Sequence, residues 1–201
     1  MKITEINQLR TLYNQPSERA LKKQLPSLDK HCIHYISKSP FLVLSTVDKQ
    51  GKVDASPRGG APGFVHVIDQ QQIIISDAKG NNRLDSLVNI VETGQVGLLF
   101  LIPGVDETLR VNGSAYITTE AEVLARFSNE KNPPQTCIVV SVEEAYLHCA
   151  KALMRSKLWS EDAQIMRTEL PTMGQMLKDQ VGGDKAPESQ EEMVKRYKKD
   201  L

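Results

Sequence analysis

The run Asp77-Ala78-Lys79-Gly80-Asn81-Asn82-Arg83-Leu84-Asp85-Ser86-Leu87 constrains the fold more than any other stretch of the chain. Ile73-Ile74-Ile75 precedes it and reads as a buried strand. Leu84, Leu87, Val88 and Val91 follow at helical spacing. Between them lie a Gly, two Asn, a Lys and an Arg. Gly permits a tight turn, and Asn caps helices and tolerates left-handed backbone. The chain is therefore expected to leave a strand, turn, and open a helix with Arg83 in its first turn. Backbone N–H groups and a cation at a helix start suit an anion such as phosphate. An ordinary strand-to-helix turn with a solvated Arg is the plainer alternative.

The flanking pattern is that of strands. Phe41 to Val47 reads as a buried strand, and Asp48-Lys49-Gln50-Gly51 as a hairpin turn. Lys52 to Ser56 returns antiparallel. Pro57-Arg58-Gly59-Gly60-Ala61-Pro62-Gly63 then interrupts it, and its Gly and Pro content predicts a bulged backbone that a flat ligand can approach. Phe64 to Ile68 and Gln72 to Ser76 make the next hairpin. After the helix come strands over Val96 to Ile102, Thr108 to Thr118 and Thr136 to Val142, with a short helix over Glu120 to Phe127. About seven strands, mostly hairpin-linked with one inserted helix, predict a mainly β chain forming a closed or split antiparallel barrel.

Helices flank this block. Residues 1–40 read as an N-terminal helical segment with caps at Thr4, Ser17 and Asp29. Residues 41–160 form the barrel domain, and 161–201 a C-terminal extension, within one structural domain overall. Glu143 to Trp159 reads as a helix on which Lys151 and Arg155 share a face. Met166 to Leu177 reads as a short helix, Val181 to Pro187 as a linker, and the rest as a loose charged tail. His31 and His34 bracket Cys32 at metal-like spacing without a second ligand cluster, so a helix surface with a buried Cys is preferred.

Composition narrows the function. The 201 residues carry 25 basic and 25 acidic side chains. That balance argues against a dedicated nucleic-acid surface. Three cysteines without a CxxC argue against a disulfide framework. No run has the length of a membrane span, and the N-terminus shows no apolar leader, so a cytoplasmic protein is expected. Ser45, Ser56 and Ser86 lack a recognisable His and Asp arrangement, and no Gly-Lys-Ser/Thr completes a Walker loop.

In order, Ser56-Pro57-Arg58-Gly59-Gly60, Ser76-Asp77, Gly80-Asn81-Asn82-Arg83-Leu84-Asp85-Ser86-Leu87, Val96-Gly97-Leu98-Leu99-Phe100 and Glu107-Thr108-Leu109-Arg110-Val111-Asn112-Gly113 resemble the pyridoxamine 5'-phosphate oxidase-like flavoproteins. Cys149 to Trp159 is similar to one bacterial branch of FMN flavoproteins in that superfamily. The resemblance covers roughly residues 30–160. It implies an FMN-binding split barrel that is a homodimer, with flavin in two clefts at the subunit interface. By position, Arg58 stands near the flavin phosphate and ribityl chain, with Ser56, Gly59 and Gly60 beside it. Ser76 and Asp77 end the strand that lines the ring. Asn82 and Arg83 occupy the place of a phosphate-binding Ser-Arg-Lys motif, here altered. Thr108 replaces a ring-contacting Gln, and Lys151, Arg155, Ser156 and Trp159 are expected from the partner subunit.

The oxidase's own C-terminal signature, an aromatic Trp-Gly followed by a distal Arg and His, is absent from the sequence. The expected activity is therefore an FMN-dependent oxidoreductase acting on a small molecule, with a nicotinamide cofactor or another donor reducing the flavin. The flavin would carry the redox step, and no protein catalytic residue is singled out. The competing class is a non-catalytic binder of flavin, haem or another tetrapyrrole, for which His66 and His148 are the candidate ligands.

Overall fold

The computed structural model describes residues 2–80 and 82–200. Its centre is one antiparallel seven-stranded sheet. The strands are β1 (Phe41–Val47), β2 (Val53–Gly59), β3 (Val65–Val67), β4 (Gln72–Ser76), β5 (Gln95–Ile102), β6 (Val105–Thr118) and β7 (Cys137–His148). Their spatial order is β2-β1-β5-β6-β7-β4-β3. The sheet curls without closing, because β2 and β3 end it and do not pair with each other. This is the split form of the expected barrel.

Alternating burial along the strands defines an inner face. Leu42 and Leu44 of β1, Ile73 and Ile75 of β4, Leu98 and Phe100 of β5, Leu109 and Val111 of β6, and Ile138 and Val140 of β7 fill it. Two helices complete that core. Helix α3 (Lys30–Lys38) is capped by the Asp29 carboxylate, which accepts from the His31 and Cys32 N–H groups, and it buries Cys32 and Ile36. Helix α4 (Asp85–Thr93) buries Ser86 and Ile90. A smaller cluster of Ile74, Phe127, Cys137 and Val139 lies on the other face. Gly113 sits at a bulge in the β6–β7 ladder, where an added Cβ would stand 1.9 Å from the Ser141 carbonyl oxygen. Backbone cannot yield there, so only Gly fits.

Several expectations change. Strand β2 does not break at Pro57: its register with β1 runs unbroken from Val47↔Val53 to Phe41↔Gly59. An edge strand tolerates Pro, so no bulge is needed. Glu143 to His148 belongs to β7, since pairing with Thr108 to Asn112 overrides its helical spacing. Only α6 (Lys151–Ser156) is helical there. At the N-terminus, α1 (Ile6–Arg10) follows Glu5, and the Thr4 N–H donates to the Gln8 side chain at 3.0 Å instead of Thr4 capping it. Ser17 caps α2 (Glu18–Lys22) as expected.

A short α5 (Ala121–Leu124) leads into a 3-10 turn over Ala125–Phe127. The C-terminal region holds α7 (Met173–Val181) and, in place of a loose tail, α8 (Gln190–Tyr197). A Ser189/Glu192 capping box starts α8, and Met193 anchors it.

Candidate functional site

The open side of the barrel is bridged by side chains from its two ends. Along β2, Asp54, Ser56 and Arg58 turn inward and are half-buried, while Val53, Ala55, Pro57 and Gly59 are exposed. Arg58 crosses to Asp77, just beyond β4, with Nη1 to Oδ1 at 2.8 Å. The side chains of this pair are 17% and 21% exposed. The Asp77 N–H donates to the Thr136 carbonyl at 3.0 Å, which ties this residue to the start of β7. Two buried polar atoms of these residues have no hydrogen-bond partner: Arg58 Nε and Thr136 Oγ1. Such atoms are uncommon in folded proteins.

A second centre adjoins this seam. The Ser86 hydroxyl donates to Asp54 Oδ2 at 2.6 Å and fastens the start of α4 to β2. Arg83 lies two residues before α4, not in its first turn, and is 73% exposed. Its Nε donates to Asp85 Oδ2 at 2.8 Å. Hydrogen bonding to Asp85 raises the Arg83 pKa, and the same contact holds the Asp85 carboxyl below its ordinary value. Asn82 and Leu84 both have φ of 60°. For a residue as bulky as Leu that backbone is strained, and such strain gathers at ligand clamps. Leu84 also occupies the N-cap position, where it supplies no side-chain acceptor for the first turn. Asn81 lies outside the described residues.

The remaining expected residues are placed elsewhere. The Ser76 hydroxyl faces Glu130 at 3.4 Å, away from the seam. Gly60 is bare because Phe64 covers it: an added Cβ would meet the Phe64 Cβ at 2.7 Å. Neither Gly59 nor Gly60 has positive φ. Thr108 is 4% exposed and pairs with His148. Strand alternation puts Thr108 on the outer face, because Leu109 is on the inner one. Lys151 and Arg155 are exposed on α6, the Ser156 hydroxyl donates to the Leu153 carbonyl, and the Trp159 Nε1–H donates to the Val105 carbonyl at 2.9 Å.

One chain thus gathers Ser56, Arg58 and Asp77 at the seam, and sets Arg83, with Asn82 next to it, near Asp54 at the other end of β2. Thr108 lies on the outer face, and α6 packs on β6. Asp54, Ser86 and Thr136 belong to the site and were not expected. Alternation along β2 from Arg58 and Ser56 points to Asp54, whereas nothing local points to Thr136.

The histidines also have defined places. His66 stacks on Phe127 at 4.2 Å, and its burial pushes its pKa down. Its β4 partner is Ile74, so it lies on the face of the smaller cluster. His148 tilts against Tyr146 at 6.2 Å. Among the described residues, no group of three or more His, Cys, Asp or Glu is placed to hold a metal ion, and no helix is long and apolar enough to cross a membrane.

The family model for pyridoxamine 5'-phosphate oxidase matches residues 28–149, which include the whole sheet and both cationic centres. The chain belongs to the pyridoxamine 5'-phosphate oxidase family. Solved structures with a similar fold include HupZ of Group A Streptococcus, at 17% identity and a TM-score of 0.50, over 60% of this chain and 93% of that one. A variant of HupZ matches at 17% identity and TM-score 0.50, over 60% of this chain and 98% of its own. A pyridoxamine 5'-phosphate oxidase candidate from Lactobacillus delbrueckii is 18% identical, with a TM-score of 0.49 over 62% and 98% of the two chains. No curated protein sequence matches the chain. The family match and the two HupZ structures agree with the split barrel, with residues 150–201 lying beyond the span that the family model matches.

Proposed function

We propose that the chain binds flavin mononucleotide and works as an FMN-dependent oxidoreductase on a small molecule, with a nicotinamide cofactor as electron donor. The observation that carries this reading is the presence of two cationic centres on one side of the sheet: Arg58, half-buried against Asp77 with an unpartnered Nε, and Arg83, beside the Asp54–Ser86 contact that fastens α4 to β2. The group fits the residues present. Arg58 Nε is an unused buried donor, and the entry to α4 has no side-chain cap. Arg83 stands where a phosphate would take it over from Asp85, a charge-assisted exchange of one acceptor for a stronger one. The flavin supplies the hydride chemistry when bound. The chain's part is to hold the phosphate and polyol chain and to orient the ring.

A second copy of the chain completes the site. Lys151 and Arg155 are exposed on α6, where the seam of another copy can meet them. The outer face suits this pairing: Phe41, Val43, Leu99 and Leu101 make an apolar strip on β1 and β5, and Val53 beside it is 84% exposed. We therefore infer a homodimer. We also infer a cytoplasmic location, from Cys32, Cys137 and Cys149 all being free. A haem or tetrapyrrole protein is the weaker reading, because His66 is stacked on Phe127 on the face of the smaller cluster.

Size-exclusion chromatography with light scattering and a flavin absorbance trace tests both parts on one sample. The expected result is about twice the 22.4 kDa chain mass with one FMN per chain. A protein that stays colourless after FMN is added would sink the flavin assignment, and an FMN-loaded monomer would sink the shared site.

A further inference from the structure

The β4–β7 ladder carries one more hydroxyl to the seam. The ladder pairs Ile73↔Val140, Ile75↔Ile138 and Ser76↔Cys137, which sets Asp77 opposite Thr136 one step further on. Directly opposed residues present their side chains on the same face. Alternation assigns this pair to the face of Ile73, Ile75, Ile138 and Val140, the inner face of the barrel. Arg58 reaches the same place from the far end of the sheet through its register with Leu42. Arg58 therefore meets Asp77 from across the open side, Thr136 stands opposite Asp77 on the same face, and both neighbours of Asp77 carry an unpartnered buried atom, Arg58 Nε and Thr136 Oγ1.

The donor and acceptor inventory limits what fits there. Nε–H only donates, an ionised Asp77 only accepts, and the Thr136 hydroxyl does either. A phosphate oxygen offers acceptors alone and would face the Asp77 charge. A neutral hydroxyl accepts from Arg58 and donates to Asp77 or Thr136, which satisfies each group without charge repulsion. We infer that Thr136, with Arg58 and Asp77, binds the hydroxyls of the flavin's polyol chain and leaves the phosphate to Arg83 and the start of α4. This assignment rests on the flavin reading above and adds to it a residue that positions the ligand by its neutral part.

Full-length Thr136→Val and Thr136→Ser are titrated with FMN, riboflavin and lumiflavin, which share the ring and differ in the chain and phosphate. Thr136→Val is expected to weaken FMN and riboflavin by the same factor, roughly three- to tenfold, the span of one neutral hydrogen bond. Lumiflavin binding should not change, and Thr136→Ser should bind like the wild type. Apo Thr136→Val should melt no lower than apo wild type, because an unused buried hydroxyl has been removed.

Unaltered FMN affinity overturns the inference. So does a loss confined to FMN, which would be a phosphate contact, or one shared by lumiflavin, which would be a ring contact. A clearly lower apo melting temperature also overturns it, since the hydroxyl would then be structural or held by an ordered water. A wild type that takes up none of the three flavins defeats the flavin reading itself, a result distinguishable from failure of Thr136 alone.

Discussion

The seam and the α4 entry loop are both polar, both cationic and only a few residues apart, yet they are built in opposite ways. At the seam, Arg58 is 17% exposed, rides on a strand and is locked to a partner 19 residues away. In the loop, Arg83 is 73% exposed, flanked by residues in left-handed backbone, and held by a carboxylate two residues on. The first arrangement is paid for by the fold; the second stores strain that the fold alone does not need. A rigid group suits recognition of one fixed part of a ligand, and a mobile cation suits capture of a charged end. In the proposed site the first arrangement is assigned the ligand's neutral portion and the second its charge.

The largest expected effect tests the rigid half. Arg58→Ala leaves Asp77 as a largely buried carboxylate without its cation. Removing one partner of a fully buried pair costs about 3–5 kcal/mol, and the residual exposure lowers this to about 2–3 kcal/mol of folding stability. Urea denaturation of the apo-protein measures it. A loss below about 0.5 kcal/mol, the level of a surface ion pair, would erase the distinction between the two regions.

A smaller effect tests the mobile half. In the apo-protein the Asp85 carboxyl titrates below its ordinary value because Arg83 hydrogen-bonds it. A carboxyl lowered by folding stabilises the fold above its unfolded pKa, and that contribution is lost as pH falls through the folded value. If phosphate takes Arg83 away, the Asp85 titration should move back up when FMN binds. Carbon-detected NMR of the Asp carboxyls reads this shift. A titration that FMN leaves in place means that Arg83 never changes partner.

Local rules read much of this fold correctly from sequence. The β1 limits follow from its apolar run, and the Ser17 and Asp29 caps sit where their helices begin. Long-range pairing decided the rest. Glu143 to His148 has helical spacing, but β6 on one side and the Leu25 bridge to Ala145 draw it into the sheet. Pro57 looked like a break because a strand's place at the sheet edge is not visible in its own residues.

The site divides along the same line. The Arg83 loop shows in one contiguous run, although left-handed Leu84 delays the helix start by more than capping rules suggest. The Arg58–Asp77 contact needs the sheet to curl before its members meet: Arg58 stands out in the sequence as a cation within the Gly- and Pro-rich run, Asp77 is reached through resemblance, and Thr136 through neither. The α8 capping box, Ser189 with Glu192, is a local signal set within a charged tail.

The central claim is that charge and polyol are held by different centres. Comparing FMN with riboflavin affinity, in wild type and in Arg83→Ala, tests it most directly. The account predicts that wild type prefers FMN, and that Arg83→Ala weakens FMN roughly tenfold or more while leaving riboflavin unchanged, as removal of a charge-assisted contact should. Its apo stability should stay that of the wild type, since an exposed ion pair contributes little. A wild type that binds both flavins equally, or an Arg83→Ala protein that keeps the full preference for FMN, would contradict it.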